Sequence, residues 1–274
     1  MQNSSSQYVV SGFLHRARAI CQLVFLMIIM PFSIKAQTTS YNQLSNEYQF
    51  GRMINDRWSA EVYFGATFSS TPNESRVLKT NIQRYFMVWA HYFLSPRWKL
   101  SSSIAYFYNK DVPDIGQYLS PEWRLSIQGI YFFHKTRYTL STRSRVELRY
   151  IMNAESLFEF KYRYRQQLKF MLPINSRVFR QGVFYVMTSE ELLFKPNAKT
   201  TGVTFFDRNR FEIGGGYFIT DDIQVELTYV NEFMPRDNGN EMYNCLSFTF
   251  TFNNLLINLK KKIFPKSAED EQVP

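Results

Sequence analysis

The stretch RYTLSTRSRVELRY, residues 137–150, followed after a short loop by FEFKYRYRQQLKFM, residues 158–171, decides the fold. In the first segment the odd positions run Arg137, Thr139, Ser141, Arg143, Arg145, Glu147, Arg149, and the even ones Tyr138, Leu140, Thr142, Ser144, Val146, Leu148, Tyr150. In the second, Phe158, Phe160, Tyr162, Tyr164, Leu168 and Phe170 share one parity, against Glu159, Lys161, Arg163, Arg165, Gln167 and Lys169. Successive strand residues face opposite ways, so each segment has one apolar and one cationic face. Soluble strands alternate too, but are usually about five or six residues long. Tyr138 and Tyr150 lie about 40 Å apart along a strand at roughly 3.3 Å per residue. Tilted by about 40°, that is about 30 Å of height, close to an outer-membrane apolar band flanked by aromatic girdles. The hairpin is therefore expected to belong to a transmembrane β-barrel.

The termini fit export. Arg16 and Arg18 precede the apolar run Ala19 to Ile34, which ends at Lys35, Ala36 and Gln37. That is the pattern of a secretory signal peptide cleaved after Ala36. The expected organisation is a signal peptide at 1–36, a barrel at 37–259 and a polar periplasmic tail at 260–274. Losing Arg16, Arg18 and Lys35 lowers the formal charge from +9 to +6. Cys245 is then the one remaining cysteine, which excludes an internal disulfide and argues against a cysteine metal site. No later run approaches the ~20 apolar residues of a membrane helix. A mean hydropathy of −0.30 with 18% aromatic residues suits strands of which every second residue meets lipid.

Working outward, the same alternation recurs. Leu44 to Ile54 breaks at Asn55-Asp56; Trp58 to Phe68 sets Trp58, Val62, Phe64 and Phe68 against Ser59, Glu61 and Tyr63. Residues 80–94 are partly apolar on both faces, which leaves their outward side open. Trp98 to Tyr108 and Glu122 to Phe133 follow, then the opening hairpin. Further strands are expected at 178–192, 207–218, 223–233 and 243–252. Many strands without a helical pattern between them make an all-β chain. Connections alternate between short and long, as periplasmic turns and external loops do. Eleven strands are recognisable, whereas bacterial barrels have an even number. The expectation is an antiparallel up-and-down barrel of about 12 strands (10–12), with the missing one in Thr38 to Gln43 or Leu255 to Ile263.

The run Arg143, Arg145, Glu147, Arg149, the Tyr-Arg-Tyr-Arg of Tyr162 to Arg165, the pair Glu190-Glu191, and Arg208-Asn209-Arg210 followed by Gly214 to Gly216 carry a resemblance. They resemble a family of outer-membrane barrels from Bacteroidetes-type Gram-negative bacteria, catalogued only as a domain of unknown function. The resemblance spans nearly the whole mature chain. That family commonly has an asparagine before the glutamate, where this chain has Ser189 or Glu190. It implies fold and address and brings no activity.

The inward parity collects a candidate lumenal network: Arg143, Arg145, Glu147, Arg149, Lys161, Arg163, Arg165, Lys169, Glu190, Arg208, Arg210, Glu212 and Glu226. Arginine suits ion pairing because its planar fork grips a carboxylate at two points. One reading is a network that fills a narrow barrel; the other is a basic pore wall favouring small anionic solutes. The outward parity collects a lipid-facing girdle: Trp58, Trp98, Trp123, Tyr138, Tyr150, Phe158, Phe170 and Phe252. An outer-membrane lipid- or envelope-modifying enzyme is the alternative, since a lipase needs a serine beside an oriented histidine. The mature chain offers His91, with Ser95 close in sequence, and His134 in a turn; both read better as interfacial or lumenal residues. Nucleic acid is not expected, because the long apolar faces would go unexplained. Gly214 to Gly216 do not fit a phosphate loop, because no helix follows; they read as relief of crowding or a strand bend. Neither cofactor nor metal is expected. The expected partners are outer-membrane lipid, the barrel-assembly machinery and small anionic solutes.

Overall fold

The computed structural model describes residues 38–112, 117–196, 205–236 and 239–254. The signal peptide expected at 1–36 and the tail at 260–274 lie outside the described residues, as does Leu255 to Ile263. The described residues form twelve strands: β1 (Thr38–Met53), β2 (Trp58–Ser69), β3 (Thr80–Ser95), β4 (Trp98–Val112), β5 (Gln117–Leu119), β6 (Glu122–Lys135), β7 (Thr139–Met152), β8 (Phe158–Pro173), β9 (Phe184–Phe194), β10 (Phe206–Phe218), β11 (Ile223–Met234) and β12 (Asn240–Asn253). None of the described residues is helical.

Eleven of the strands close a barrel in the order β3-β2-β1-β12-β11-β10-β9-β8-β7-β6-β4, and pairing of β3 with β4 completes the ring. Every pair is antiparallel except β1 with β12, which run parallel from Thr38↔Asn240 to Gly51↔Asn253. An odd number of up-and-down strands leaves the first and last pointing the same way, so a parallel pair is what closes it. The expected twelfth strand is therefore not in the wall. Thr38 to Gln43 is the opening of β1, and the twelfth strand, β5, is a short rung on the end of β4. Closure leaves no edge strand in the eleven-stranded wall; β5, paired with β4 alone, stands outside it.

Small polar side chains set the turns at one end of the barrel. Asn55 Oδ1 accepts from the backbone N–H groups of Arg57 and Trp58, both at 2.9 Å. Ser95 Oγ and Thr220 Oγ1 play the same part before β4 and β11. The connection between β8 and β9 departs from this pattern. A strand was expected from residue 178, but β9 starts at Phe184. Asn175 holds the intervening loop by donating to the Gly182 carbonyl at 2.9 Å and accepting from Phe184 N–H at 2.9 Å. Arg137 and Tyr138 likewise lie in the β6–β7 turn and not in β7; Tyr138 stacks on His134 at 3.8 Å.

Register settles the faces. On β3, Trp89 and His91 lie opposite Glu61 and Ser59 and are buried, while Phe86 and Leu94 are exposed outward. The outer surface carries the large exposed apolar side chains, among them Trp58, Trp98, Ile104, Trp123, Ile127, Tyr150 and Phe158. Aromatic pairs fall in two tiers. Trp58–Tyr92 and Trp98–Tyr131, both 4.9 Å between centroids, sit near the short-turn end. Tyr106–Trp123 at 4.9 Å and Tyr150–Phe160 at 5.2 Å sit near the other. Phe170 lies 5.6 Å from Tyr138, and Phe252 stacks on Phe50 at 5.1 Å, both toward the short-turn end. The buried charged side chains, among them Glu122, Glu147, Arg163, Arg165 and Glu191, lie on the opposite face of the sheet.

Candidate functional site

The interior network begins with Glu122 on β6, fully buried, whose two carboxylate oxygens accept from Arg149 Nε and Nη2 at 2.7 Å each. Arg124 Nε reaches the same carboxylate at 2.7 Å. Glu147 on β7 takes Arg163 through Nε at 2.8 Å and Nη2 at 2.7 Å, and Arg165 Nη1 at 2.7 Å. Arg145 Nη1 stands 3.6 Å from it. Arg165 also forks onto Glu191 of β9, with Nε at 3.0 Å and Nη2 at 2.6 Å. Glu191 takes Arg143 Nη2 at 2.7 Å. Arg210 lies between Glu191, at 3.5 Å, and Glu232, at 2.6 Å; Arg208 reaches Glu232 at 2.9 Å.

A second node surrounds Asp207, with Lys195 at 3.1 Å, Arg208 at 3.2 Å and Arg163 at 3.5 Å. Lys195 lies in the connection beyond β9; burial pushes its ammonium below its ordinary pKa, against the pull of Asp207. Glu122, Glu147, Glu191 and Asp207 are each at most 2% exposed. Charges so far from water persist because each carboxylate is held by two or more cations with good hydrogen-bond geometry. Period-2 alternation supplies the components. Arg145↔Arg165, Glu147↔Arg163 and Arg149↔Lys161 are cross-strand partners, so guanidiniums and carboxylates interleave on neighbouring strands.

Of the candidate lumenal residues, Arg143, Arg145, Glu147, Arg149, Arg163, Arg165, Arg208 and Arg210 join this network. Lys161 pairs instead with Glu159 at 3.1 Å, toward the long-loop end. Lys169, Glu212 and Glu226 point inward but stand outside it: Glu212 accepts from Ser189 at 2.9 Å, and Glu226 from Tyr185 at 2.5 Å. Glu190 is corrected. It lies opposite Leu168 on β8 and Phe211 on β10, both outward residues, and accepts a hydrogen bond from Asn209. Glu191 is the inward member of the acidic pair. Sequence parity also missed Asp207, because a register shift between Phe206 and Arg208 turns Asp207 and Arg208 inward together.

A smaller cluster lies on β2, β3 and β4. His91 Nδ1 is 2.7 Å from Ser101 Oγ, and its Nε2 is 3.1 Å from Glu61 Oε2. The serine beside His91 is thus Ser101 on the next strand and not Ser95. Trp89 stacks on His91 at 5.8 Å, and Arg145 lies 4.9 Å over the Trp89 ring, a cation–π contact that joins this cluster to the network. His134 Nδ1 is 2.8 Å from the Tyr138 carbonyl oxygen, within the β6–β7 turn region. Among the described residues, no group of three or more His, Cys, Asp or Glu is placed to hold a metal ion.

A family model described as "Protein of unknown function (DUF2490)" matches residues 38–243, from the start of β1 into β12. This agrees with the resemblance to a domain of unknown function. No curated protein matches the chain.

Proposed function

The chain belongs to the DUF2490 family, and from that premise we propose that it is an integral outer-membrane barrel, exported by an N-terminal signal peptide, whose arginine–carboxylate network braces the wall. In this reading the barrel is structural or a narrow passive conduit, and its excess of inward guanidiniums favours small anionic solutes. One observation carries it. Large apolar and aromatic side chains cover the outside of a closed sheet while ion pairs occupy the inside, the reverse of a water-soluble barrel. Purified protein in planar bilayers is expected to give a small conductance with anion preference, and unheated and heated samples to migrate differently on gels. Partition into the aqueous phase of a detergent separation would sink the proposal.

The Ser101–His91–Glu61 contacts support a second reading, a lumenal hydrolase, because they set a serine hydroxyl, an imidazole and a carboxylate in series. Against it, Ser101 is 6% exposed and meets the ring nitrogen nearest the main chain, where a substrate carbonyl has little room. A serine-directed fluorophosphonate tests it: labelling lost in Ser101→Ala would favour the enzyme, and no labelling would favour a packing role.

A further inference from the structure

Toward the short-turn end, at and beyond the edge of the ion-pair network, inward charges are sorted by side. Lys99 on β4, Lys135 on β6, Arg143 on β7 and Lys169 on β8 occupy one arc of the wall toward the short-turn end. Among the described residues none of the three lysines forms an ion pair, and Arg143, which reaches Glu191 through Nη2, has a buried Nε with no partner. Glu47 on β1, Glu61 on β2, Glu212 on β10 and Glu226 on β11 occupy the other arc. In the closed strand order, the centre of the first arc lies diametrically across from the centre of the second.

Among the described residues, no lysine or arginine forms an ion pair with any of these four carboxylates. Glu47 accepts from Tyr85, Glu61 from Tyr63, Glu212 from Ser189 at 2.9 Å and Glu226 from Tyr185 at 2.5 Å; Glu61 also has His91 at 3.1 Å and, beyond ion-pair distance, Lys99 as charged or chargeable neighbours. Neutral donors fix the position of a carboxylate without cancelling its charge. Lys99, Arg143, Lys169 and all four glutamates are half-buried, whereas the carboxylates of the network are almost fully enclosed. At the short-turn rim a cleft of about 630 Å³ opens between the β6–β7 turn and the β8–β9 loop, lined by Lys135, Arg137 and Arg177 among others.

We infer that the short-turn half of the lumen is a binding chamber for a small zwitterion, an ammonium at one end and a carboxylate or phosphate at the other. The cationic arc takes the anion, the phenol-held glutamates take the ammonium, and the ion-pair network forms the far end. A purely anionic solute would meet a wall of carboxylates, of which Glu47, Glu212 and Glu226 are held by neutral donors, and a purely cationic one the lysine arc; a dipolar solute satisfies both walls. The inference rests on the barrel reading above and, for the short-turn half of the lumen, replaces its small anionic solutes with zwitterions.

The test is calorimetric titration of the full-length barrel in detergent with diglycine, N-acetyl-diglycine, which lacks the ammonium, and diglycinamide, which lacks the carboxylate. Diglycine is expected to bind at least tenfold more tightly than either analogue. Lys169→Gln should weaken diglycine and N-acetyl-diglycine but spare diglycinamide, and Glu226→Gln should do the converse. N-acetyl-diglycine binding as well as diglycine, diglycinamide binding as well, or no heat from any of the three would each overturn the chamber. Bilayer conductance of the same preparation separates the two claims: conductance without zwitterion preference sinks this inference alone, whereas failure to enter bilayers sinks the membrane reading.

Discussion

Tyr185 on β9 donates its phenol to Glu226 on β11, reaching across the intervening strand over Gly216. The three residues share one row of the sheet, and a Cβ at Gly216 would run into the Tyr185 ring. The same device recurs on the other side of the closure, where Tyr85 on β3 crosses Gly65 on β2 to reach Glu47 on β1. Glu226 and Glu47 in turn flank Thr249 of β12. Glycine is needed at both places for room.

Gly216→Ala is therefore expected to cost about 1–3 kcal/mol through overpacking, and to release Tyr185 from Glu226. Gly129→Ala is the control, since its Cβ would meet Leu100 and Trp98 at an ordinary 3.8 Å. Urea titration of both in the same detergent checks the contrast; equal loss in the two would show that the tyrosine bridge is not the cause.

Glu147 is the node at which the guanidiniums of Arg163 and Arg165 meet. Glu147→Leu leaves Arg163 with Asp207 at 3.5 Å as its remaining carboxylate. Removing one side of a buried ion pair typically costs about 3–5 kcal/mol, and replacing both sides by apolar groups far less. The expected outcome is a loss near the lower figure in Glu147→Leu, part of which returns in Glu147→Leu with Arg163→Met. A neutral single variant would mean that water already solvates this part of the lumen.

The outward faces give a prediction of opposite character. Leu148 and Phe160 face outward on β7 and β8. Arginine in place of either is expected to cost about 2–4 kcal/mol if that position lies near the bilayer midplane, read as a lower folded fraction on reconstitution into vesicles. Normal insertion of both variants would remove the case for lipid contact.

The long alternations made the barrel legible, and in the hairpin of β7 and β8 they also assigned almost every charged residue to its side. What stayed hidden depends on register. Trp89 made residues 80–94 look apolar on both faces because it lies inward as a platform for Arg145. The inward turn of Asp207 needs the shift after Phe206, which leaves no mark on the alternation. The phenol–carboxylate bridges join residues two strands apart through a glycine whose purpose is invisible without its neighbours. The parallel contact of β1 with β12 has no local signature either; it follows only from the odd count.

Glu190 gives the sharpest test of the outer face. It projects outward between Leu168 and Phe211, accepting from Asn209, well inside the span bounded by Phe184 and Phe194 on its own strand. Other polar groups near it are already satisfied: Ser144 donates to Gln166 at 2.6 Å, Gln166 to Thr142 at 2.6 Å and Tyr164 to Gln166 at 2.6 Å. Among the described residues, no donor is in place for the second carboxylate oxygen of Glu190. In hydrocarbon an acidic side chain is destabilising, though less so than arginine. Glu190→Leu is accordingly expected to raise stability by about 1–2 kcal/mol in lipid, even after losing the Asn209 hydrogen bond. The check is a urea titration in vesicles beside one in a charged detergent, where water reaches the belt and the gain should shrink. Equal effects in the two media, or a loss in vesicles, would mean that position 190 meets water or a protein partner instead of acyl chains.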